Sequence, residues 1–347
     1  MNKLLIGTAA AALFTVPAVA GPIAVTVGGY YNSMIYNVDS DNTGKDYKDI
    51  SLQEDAEIIF KGKGKSSSGV EYGFQVQLEA HSSENSDGDE PGDQIDEHYI
   101  YVKGDFGKIE LGAENSAAYK LQVAAPKFLG WKTYDNNFAT WSKVAKFEKP
   151  LHDNYSADAN KINYYTPSMN GLQIGVAFTP SSEYTSGNGM TLLEENTSKH
   201  QDTTSIGLRY KGKMGGSKVA FSYTMEDSEK NSEDYEETAI GFSIKNGAWT
   251  IGGNQFESDE ADSNHWDVTH VGVAYKMSKA TTLGFAIHQQ EDDKATNDNN
   301  DTDITIIGGN TKLSKGVKLT YSYEQVESDN TSKGDSEFLG VGLLLKF

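Results

Sequence analysis

Two sets of charged side chains in this sequence have the types and spacing to act on ions. The segment 115–159 is basic, whereas the runs 87–93, 257–262 and 291–303 are acidic. Clustered charges of one sign concentrate counter-ions, and carboxylates are hard oxygen ligands for Ca²⁺ and Mg²⁺. The sequence therefore predicts residues that steer or bind ions.

The lysines of the basic segment outnumber its acidic residues: Lys120, Lys127, Lys132, Lys143, Lys146 and Lys149 against Asp135, Glu148, Asp153 and Asp158. A connection of this length is usually functional or disordered, and its aromatic residues, Trp131 and Trp141 among them, argue against disorder. The acidic residues expected to form a negatively charged mouth are Asp87, Asp89, Glu90, Asp93, Asp259, Glu260, Asp292 and Asp293.

Signatures of catalysis are missing from the sequence. There is no Gly-x-Ser-x-Gly elbow and no His-Glu-x-x-His pair, and the histidines are scattered along the chain. A triad built from distant residues would leave no local motif. We nevertheless expect no enzyme, because nothing in the sequence points to one.

Composition narrows the class of protein further. The chain has 347 residues, a formal net charge of −20 and no cysteine, so disulfides and thiolate metal sites are excluded. The negative charge makes a nucleic acid an unfavourable partner. No cofactor is expected beyond Ca²⁺ or Mg²⁺ bound by the acidic loops.

The two ends of the chain indicate export to a membrane. Residues 1–20 have a lysine, an apolar stretch and a closing Ala-Val-Ala, as in a secretory signal peptide, which leaves 21–347 as the mature protein. At the other end Leu339, Val341, Leu343, Leu345 and Phe347 form an alternating apolar row. Such a row predicts a strand with one apolar face, as a closed barrel in lipid requires.

Connections of two kinds alternate between segments of about ten alternating residues. Seven are short and rich in Gly or Asn, such as 104–107 and 245–247, and eight are longer and mostly acidic. This rhythm predicts an all-β, transmembrane, up-and-down antiparallel barrel of 16 strands, with short periplasmic turns and long extracellular loops. A soluble β-sandwich is the alternative, but it would not need the signal peptide or the strict short–long rhythm.

The strand-turn-strand segments 104–112 and 161–172, the stretch 271–276 and the ending on Phe347 resemble Gram-negative general porins of alphaproteobacterial type. The resemblance covers essentially the whole mature chain. It implies a trimeric diffusion channel in the outer membrane, with the third long loop, 115–159, folded into the lumen as a constriction. A surface lid that holds subunits together is the alternative role for that loop.

This chain departs from the porin pattern at the expected constriction. Lys127 stands where the porin loop has an acidic residue, and Glu57 and Asp96 stand where porins place wall arginines; Arg209 is the only arginine. We therefore expect a transverse electric field of reversed polarity, between loop lysines and wall carboxylates. The residues expected at the constriction are Lys120, Lys127, Lys132, Asp135, Glu57, Lys61, Asp96 and Glu114, with Glu71 as an alternative wall carboxylate.

The function expected is passive diffusion of small hydrophilic solutes and ions, with weak cation selectivity from the acidic mouth. Two alternatives remain: a solute-specific channel, for example for sugars, and a surface-anchor barrel whose acidic loops bind divalent cations. The expected partners are outer-membrane lipid, lipopolysaccharide, further copies of the chain in a homotrimer, and the outer-membrane assembly machinery. Phe347 is the expected signal for that machinery.

Overall fold

The computed structural model describes residues 22–43, 46–79, 95–130, 150–152, 155–183, 196–260, 264–294, 301–329 and 333–347. The predicted signal peptide, 1–20, lies outside these ranges. Some predicted site residues also lie outside them, namely Asp87, Asp89, Glu90, Asp93, Lys132 and Asp135.

Sixteen antiparallel strands form one closed barrel, in which each strand pairs with its neighbours in sequence and β1 pairs with β16. The strands are β1 Ala24–Ser40, β2 Ile50–Lys65, β3 Glu71–Glu79, β4 Ile95–Gly104, β5 Gly107–Ala113, β6 Asn160–Tyr165, β7 Leu172–Ser181, β8 Gln201–Met214, β9 Ser217–Lys230, β10 Glu233–Asn246, β11 Trp249–Glu260, β12 Asn264–Tyr275, β13 Thr281–Lys294, β14 Thr302–Ser314, β15 Val317–Ser328 and β16 Ser336–Lys346. A short helix, α1 Ala117–Leu121, follows β5. No helix within the described ranges is long and apolar enough to cross a membrane. The predicted strand number and fold class are confirmed.

Side chains alternate between the two faces of the wall, and the apolar row of β16 points outward. Leu339 is 63% exposed and Leu343 45% exposed, whereas Phe338 and Leu344 on the opposite face are fully buried. Alternation of this kind follows from the two-residue repeat of a strand. The greasy face is on the outside of a single-layered wall, so the soluble β-sandwich alternative is wrong.

Closure of the barrel joins β1 to the residue that follows β16. The Gly29 N–H donates to the Phe347 carbonyl (3.1 Å), and the Phe347 N–H donates to the Gly29 carbonyl (3.2 Å). These bonds continue the ladder in which Tyr30 pairs with Lys346. A closed ladder leaves no strand edge unpaired in the wall, which hydrocarbon surroundings demand. The role of Phe347 as an assembly signal stays a prediction.

On the loop side several strands run further than the sequence indicates. The acidic run 226–234 reads as a loop, yet β9 continues to Lys230 and β10 begins at Glu233. Only Asn231 and Ser232 connect them, both with positive φ (55° and 65°), as a tight type I′ turn requires. Asp259, Glu260, Asp292 and Asp293 likewise lie on strand ends. Strand ends beyond the lipid are in contact with water on both faces, so polar side chains there carry no desolvation penalty. Polarity alone therefore does not distinguish such a strand end from a loop.

The two faces of β2 should respond differently to a buried charge. Ile58 is exposed on the outer face, while Ile59 pairs with the inward-facing Gln77. We expect Ile58→Lys to lower the free energy of unfolding by about 2–4 kcal/mol, the cost of a lysine at the lipid midplane, and Ile59→Lys to have a much smaller effect. Urea unfolding of the barrel in lipid vesicles measures both. Equal losses for the two variants would contradict the assignment of faces.

Candidate functional site

The third long connection enters the barrel directly after β5. The Ser116 hydroxyl accepts a hydrogen bond from the Tyr119 N–H (3.2 Å) and so starts α1. The Ala118 N–H then donates to the Ser205 hydroxyl on β8, and the Val123 N–H donates to the Ser222 hydroxyl on β9, each at 2.8 Å. Ser205 and Ser222 are buried on the inner face, opposite the exposed residues of the same strands. The connection therefore lies inside the barrel.

Inward-facing glycines make room for this segment on successive strands. A Cβ atom at Gly241 would overlap the Val123 carbonyl oxygen, and one at Gly284 would overlap the Phe128 ring. The glycines that contact the segment, here called the glycine track, are Gly175, Gly207, Gly241, Gly252, Gly272, Gly284 and Gly308. Residues 117–130 thus lie flat against the wall from β7 to β14. The predicted placement of the third loop in the lumen is confirmed for these residues, and a surface lid is wrong for them.

Apolar packing holds the far end of the segment. Phe128 and Leu129 are buried in a cluster with Tyr36, Ile306 and Phe338 on the inner face of the wall. The Asn310 side-chain amide also donates to the Phe128 carbonyl (2.7 Å). Burial of an aromatic side chain of this size contributes about 2–3 kcal/mol. This cluster is the largest apolar core among the described residues, and it fixes the loop to β14, β16 and β1.

The returning part of the loop is bound to the wall by polar contacts. The Asn254 amide donates to the Pro150 carbonyl (2.9 Å). His152 is fully buried, with Nε2 2.8 Å from Thr224 Oγ1 and Nδ1 3.3 Å from Glu237 Oε2. Glu226 lies directly across the β9–β10 ladder from Glu237 and is equally buried. Both the outgoing part (117–130) and the returning part (150–152) of the connection are therefore anchored to β9–β11.

A stacked aromatic pair closes this anchor above the barrel wall. Tyr155 stacks on His200 with 4.7 Å between ring centroids, and the Tyr155 hydroxyl lies 2.9 Å from the Ser258 hydroxyl. Burial, helped by the nearby Lys230, lowers the pKa of His200 to about 4, and burial raises the pKa of Tyr155. Both rings are accordingly neutral at physiological pH, which suits a stacked and largely dry contact.

Carboxylates line the part of the wall that the loop segment leaves uncovered, on β2, β3 and β4. We call Asp55, Glu57, Glu79, Asp96 and Glu97 the acidic wall. Oxygen atoms of Glu57, Glu79 and Asp96 lie within 4.8 Å of one another. The Tyr30 hydroxyl donates to Asp55 (3.1 Å) and to Glu57. The structure thus brings together two of the wall residues predicted from sequence, Glu57 and Asp96.

An irregularity in β4 explains why Asp96 reaches this cluster. Val76 pairs with His98 but Leu78 pairs with Ile95, so the register shifts between these pairs and one extra residue is accommodated. As a result both Asp96 and Glu97 lie on the inner face of the wall. Glu97 accepts hydrogen bonds from the Asn115 amide (2.8 Å) and the Gln75 amide (3.3 Å). Strict alternation from the inward-facing Tyr99 places Glu97 inside and Asp96 outside, so Asp96 is the residue that the bulge adds to the inner face.

Lys120 is the loop lysine whose partners are defined most clearly. Its Nζ lies 2.9 Å from Glu110 Oε2, 2.9 Å from Glu114 Oε2 and 5.0 Å from the centre of the Tyr99 ring. The structure thus brings together Lys120 and Glu114, both of which are predicted at the constriction, and adds Glu110 as a partner that the sequence does not single out. Glu110 is nearly fully buried, so its charge needs these cations.

The remaining predicted residues occupy different positions. Lys127 is exposed although Ala125 and Phe128 on either side of it are buried against the wall, so its side chain is directed to the lumen. Lys61 lies on the inward row of β2 on the turn side of Glu57, not within the acidic wall. Glu71 pairs with Lys63 at 2.6 Å, also toward the turns. Asp259 is bonded to His265 at the mouth (2.6 Å), and Asp292 is largely buried on the inward row of β13.

A second set of luminal charges, at the turn side, is missing from the sequence-based prediction. Lys218 pairs with Lys213 on one side and with Lys245 on the other, so three lysines lie side by side on adjacent strands. The inward rows of β14 and β16 add Lys312 and Lys346, and Lys276 directly follows β12 two residues after the buried Ala274. We call these six lysines the basic rim. The sequence does contain an indication of this basic rim. Four windows around the turns have no Asp or Glu: 203–225, 238–256, 268–290 and 304–323.

Two groups of side chains could hold a metal ion in the described part of the chain. They are His152 with Glu226 and Glu237, and Glu57 with Glu79 and Asp96; in each, the ligand atoms lie within 4.8 Å of one another. The first combines one imidazole with two carboxylates, and the second offers only carboxylates, as Ca²⁺ or Mg²⁺ prefers. Both groups lie below the predicted acidic loops.

A closed barrel with a loop fastened inside and charges of both signs around its lumen is the architecture of a membrane channel. The chain belongs to the Gram-negative porin family, whose family model matches residues 7–331. Membership in this family and the closed 16-stranded barrel place the protein in the outer membrane as a multi-pass β-barrel.

Known relatives are similar to the chain over different extents. An uncharacterized protein of Rickettsia bellii (strain RML369-C) is 31% identical over 114 residues, 26% of this chain and 26% of that protein. The match thus spans about a quarter of the length of this curated relative.

Solved structures are similar over nearly the whole chain. An anion-selective porin from Comamonas acidovorans is 15% identical with a TM-score of 0.64, over 94% of this chain and 100% of that one. In-vitro folded OmpT of Vibrio cholerae, in its trimer form, is 12% identical with a TM-score of 0.65, over 94% and 100%. At these identities the similarity concerns the fold.

Filling the glycine track should dislodge the loop. We expect Gly241→Ala to destabilise the seated segment by about 1–3 kcal/mol, because the new methyl group overlaps the backbone of Val123. Limited proteolysis of the third loop in detergent should become faster, and the single-channel current should become noisier. Ser243→Ala, one step along the same inward row, is the matched control. Unchanged proteolysis in Gly241→Ala would contradict the packing described.

Proposed function

We propose that this porin is a diffusion channel for small hydrophilic solutes and ions, and that passage is controlled where residues 117–130 face the acidic wall. The observation that carries the proposal is the fastening of the loop along the inner wall, which narrows the lumen without a plug among the described residues. A barrel of sixteen strands is wide enough to keep a water-filled channel around such a loop.

We further propose weak cation selectivity and a transverse field of reversed polarity. Wall carboxylates such as Glu57, Asp96 and Glu97 line one side of the lumen, and Lys127 is directed to the lumen from the loop on the other side. Opposite charges across a narrow aqueous passage orient dipolar solutes, and the excess of carboxylates favours cations. The acidic strand ends at the mouth, including Asp259, act in the same sense.

Assembly and partners extend the proposal. A homotrimer agrees with the trimer form of the structurally similar Vibrio OmpT. Outer-membrane lipid, lipopolysaccharide and the assembly machinery are proposed as partners, and Ca²⁺ or Mg²⁺ as ions held by the acidic loops. We expect no catalytic activity. The aromatic residues that would favour a sugar-specific channel, Trp131 and Trp141, lie outside the described residues, and no described contact favours a surface anchor.

Ion selectivity in planar bilayers tests the proposal. Under a salt gradient we expect Glu57→Gln to lower the cation-to-anion permeability ratio and Lys127→Gln to raise it. Each change should be about twofold, the effect of one charge acting across about 8 Å of water. Asp105→Asn, in the turn between β4 and β5, is the control and should leave the ratio unchanged.

Two results would count against the proposal in different ways. Channels that conduct but show no change of permeability ratio in either variant would contradict the position of the constriction and the reversed field. A folded barrel with no conductance would contradict the diffusion channel itself and would favour the anchor.

A further inference from the structure

We infer that the turn-side mouth of the lumen is an anion-binding ring, and that this ring, opposed to acidic residues on the loop side, makes the channel pass current unequally in the two directions. The inference rests on the proposed channel function. The ring is the basic rim defined above, and its ligands are multivalent inorganic anions such as triphosphate.

The arrangement of the rim is itself an argument for function. Lys213, Lys218 and Lys245 occupy one register row on three adjacent strands, and Lys312 faces Lys318 across the β14–β15 ladder. Like charges directly opposite each other on a sheet destabilise it. These lysines have no residue of opposite charge at the neighbouring register positions, so their mutual repulsion lowers the stability of the sheet. Because such lysine pairs occur at more than one place on the wall, an anion that they attract explains them better than a structural role does.

The rows belong to the lumen and not to the lipid. Lys245 shares its row with Thr250 and Ala274, and Ala274 is buried on the inner face, whereas Ile244 and Ile251 on the alternate row are exposed outward. Lys346 pairs with Tyr30, whose hydroxyl donates to the luminal Asp55. The lysines consequently line the turn-side mouth of the lumen from β8 to β16, where an anion can reach several of them at once.

Charge of the opposite sign accumulates at the other end of the same strands. On the inward rows, each window without acidic residues is bordered toward the loops by a carboxylate: Glu226 at 203–225, Glu237 at 238–256, Asp292 at 268–290 and Glu324 at 304–323. The acidic wall lies between the two ends. The described lumen is thus negative toward the loops and positive toward the turns.

Unequal conduction follows from this polarity. When the loop side is at positive potential, cations enter through the acidic end and anions enter through the basic end, so both accumulate in the lumen and the current is high. Reversal of the voltage depletes both. The effect requires a screening length comparable with the radius of the channel. The screening length is about 10 Å in 0.1 M salt and about 3 Å in 1 M salt.

Current–voltage curves of single channels in symmetric KCl test this inference. We expect the current with the loop side positive to exceed the current at the opposite voltage by about 1.5-fold or more in 0.1 M salt, and the ratio to approach one in about 1 M salt. The orientation is read from Ser278→Cys, in the turn between β12 and β13, labelled with a membrane-impermeant thiol reagent; the native chain has no cysteine to interfere.

Variants and a probe ion separate the rim from other charges. The triple variant Lys213→Gln, Lys218→Gln, Lys245→Gln should lose most of the asymmetry, whereas Lys279→Gln with Lys315→Gln, in two turns of the same side, should keep it. Inorganic triphosphate added on the turn side should reduce the current of the native channel at concentrations that have no effect from the loop side. The triple variant should not show this block.

The outcomes are distinguishable from failure of the channel proposal. Symmetric currents in 0.1 M salt from conducting channels, or equal block by triphosphate from both sides, would overturn the inference and leave the diffusion channel intact. Absence of any conductance from folded native protein would overturn both. If the triple variant does not fold, the sidedness of triphosphate block in the native channel decides alone.

Discussion

Hydrocarbon offers no partner for a backbone N–H or C=O, and the whole molecule is organised around that constraint. The bonds between Gly29 and Phe347 complete a ladder in which every strand has two neighbours, so no edge remains open in the wall. Once the ladder is closed, its two-residue repeat assigns each side chain to lipid or to lumen. The exposed Leu343 and the buried Leu344 show how sharply the two environments are separated along one strand.

The luminal face has a second task, which is to hold a long connection in place without filling the passage. The glycine track lets the backbone of residues 117–130 approach the wall, and the Ser205 and Ser222 hydroxyls accept its N–H groups. Phe128 and the buried His152 secure the outgoing and returning parts. Residues 117–130 therefore lie along β7 to β14 and not along β2 to β4, where Asp55, Glu57 and Glu97 of the acidic wall are themselves largely buried. Packing requirements and the charge distribution of the lumen are two aspects of one arrangement.

Strand number, connectivity and the facing of most residues could be predicted from sequence, since period-two patterning and turn chemistry are local. The path of the third loop could not, because it depends on small residues such as Gly241 and Gly284 that are far apart in sequence. Asp96 and Glu97 share the inner face through a bulge that alternation does not reveal. The run 226–234 was predicted as a loop because its acidic residues resemble solvent-exposed connections, yet strands that rise beyond the lipid have the same composition. The windows without acidic residues do indicate the basic rim, but they are less conspicuous in the sequence than the acidic runs.

The two-residue connection at Asn231 and Ser232 has a consequence for how the outer surface of this protein can diversify. Because β9 and β10 remain paired up to their tip, that part of the surface is a hydrogen-bonded hairpin and not a flexible loop. Insertion of a single residue into one strand of this hairpin would turn every following side chain to the opposite face, whereas a substitution changes only one side chain. Surface variation at this point is thus confined to the identity of side chains on a hairpin of fixed outline.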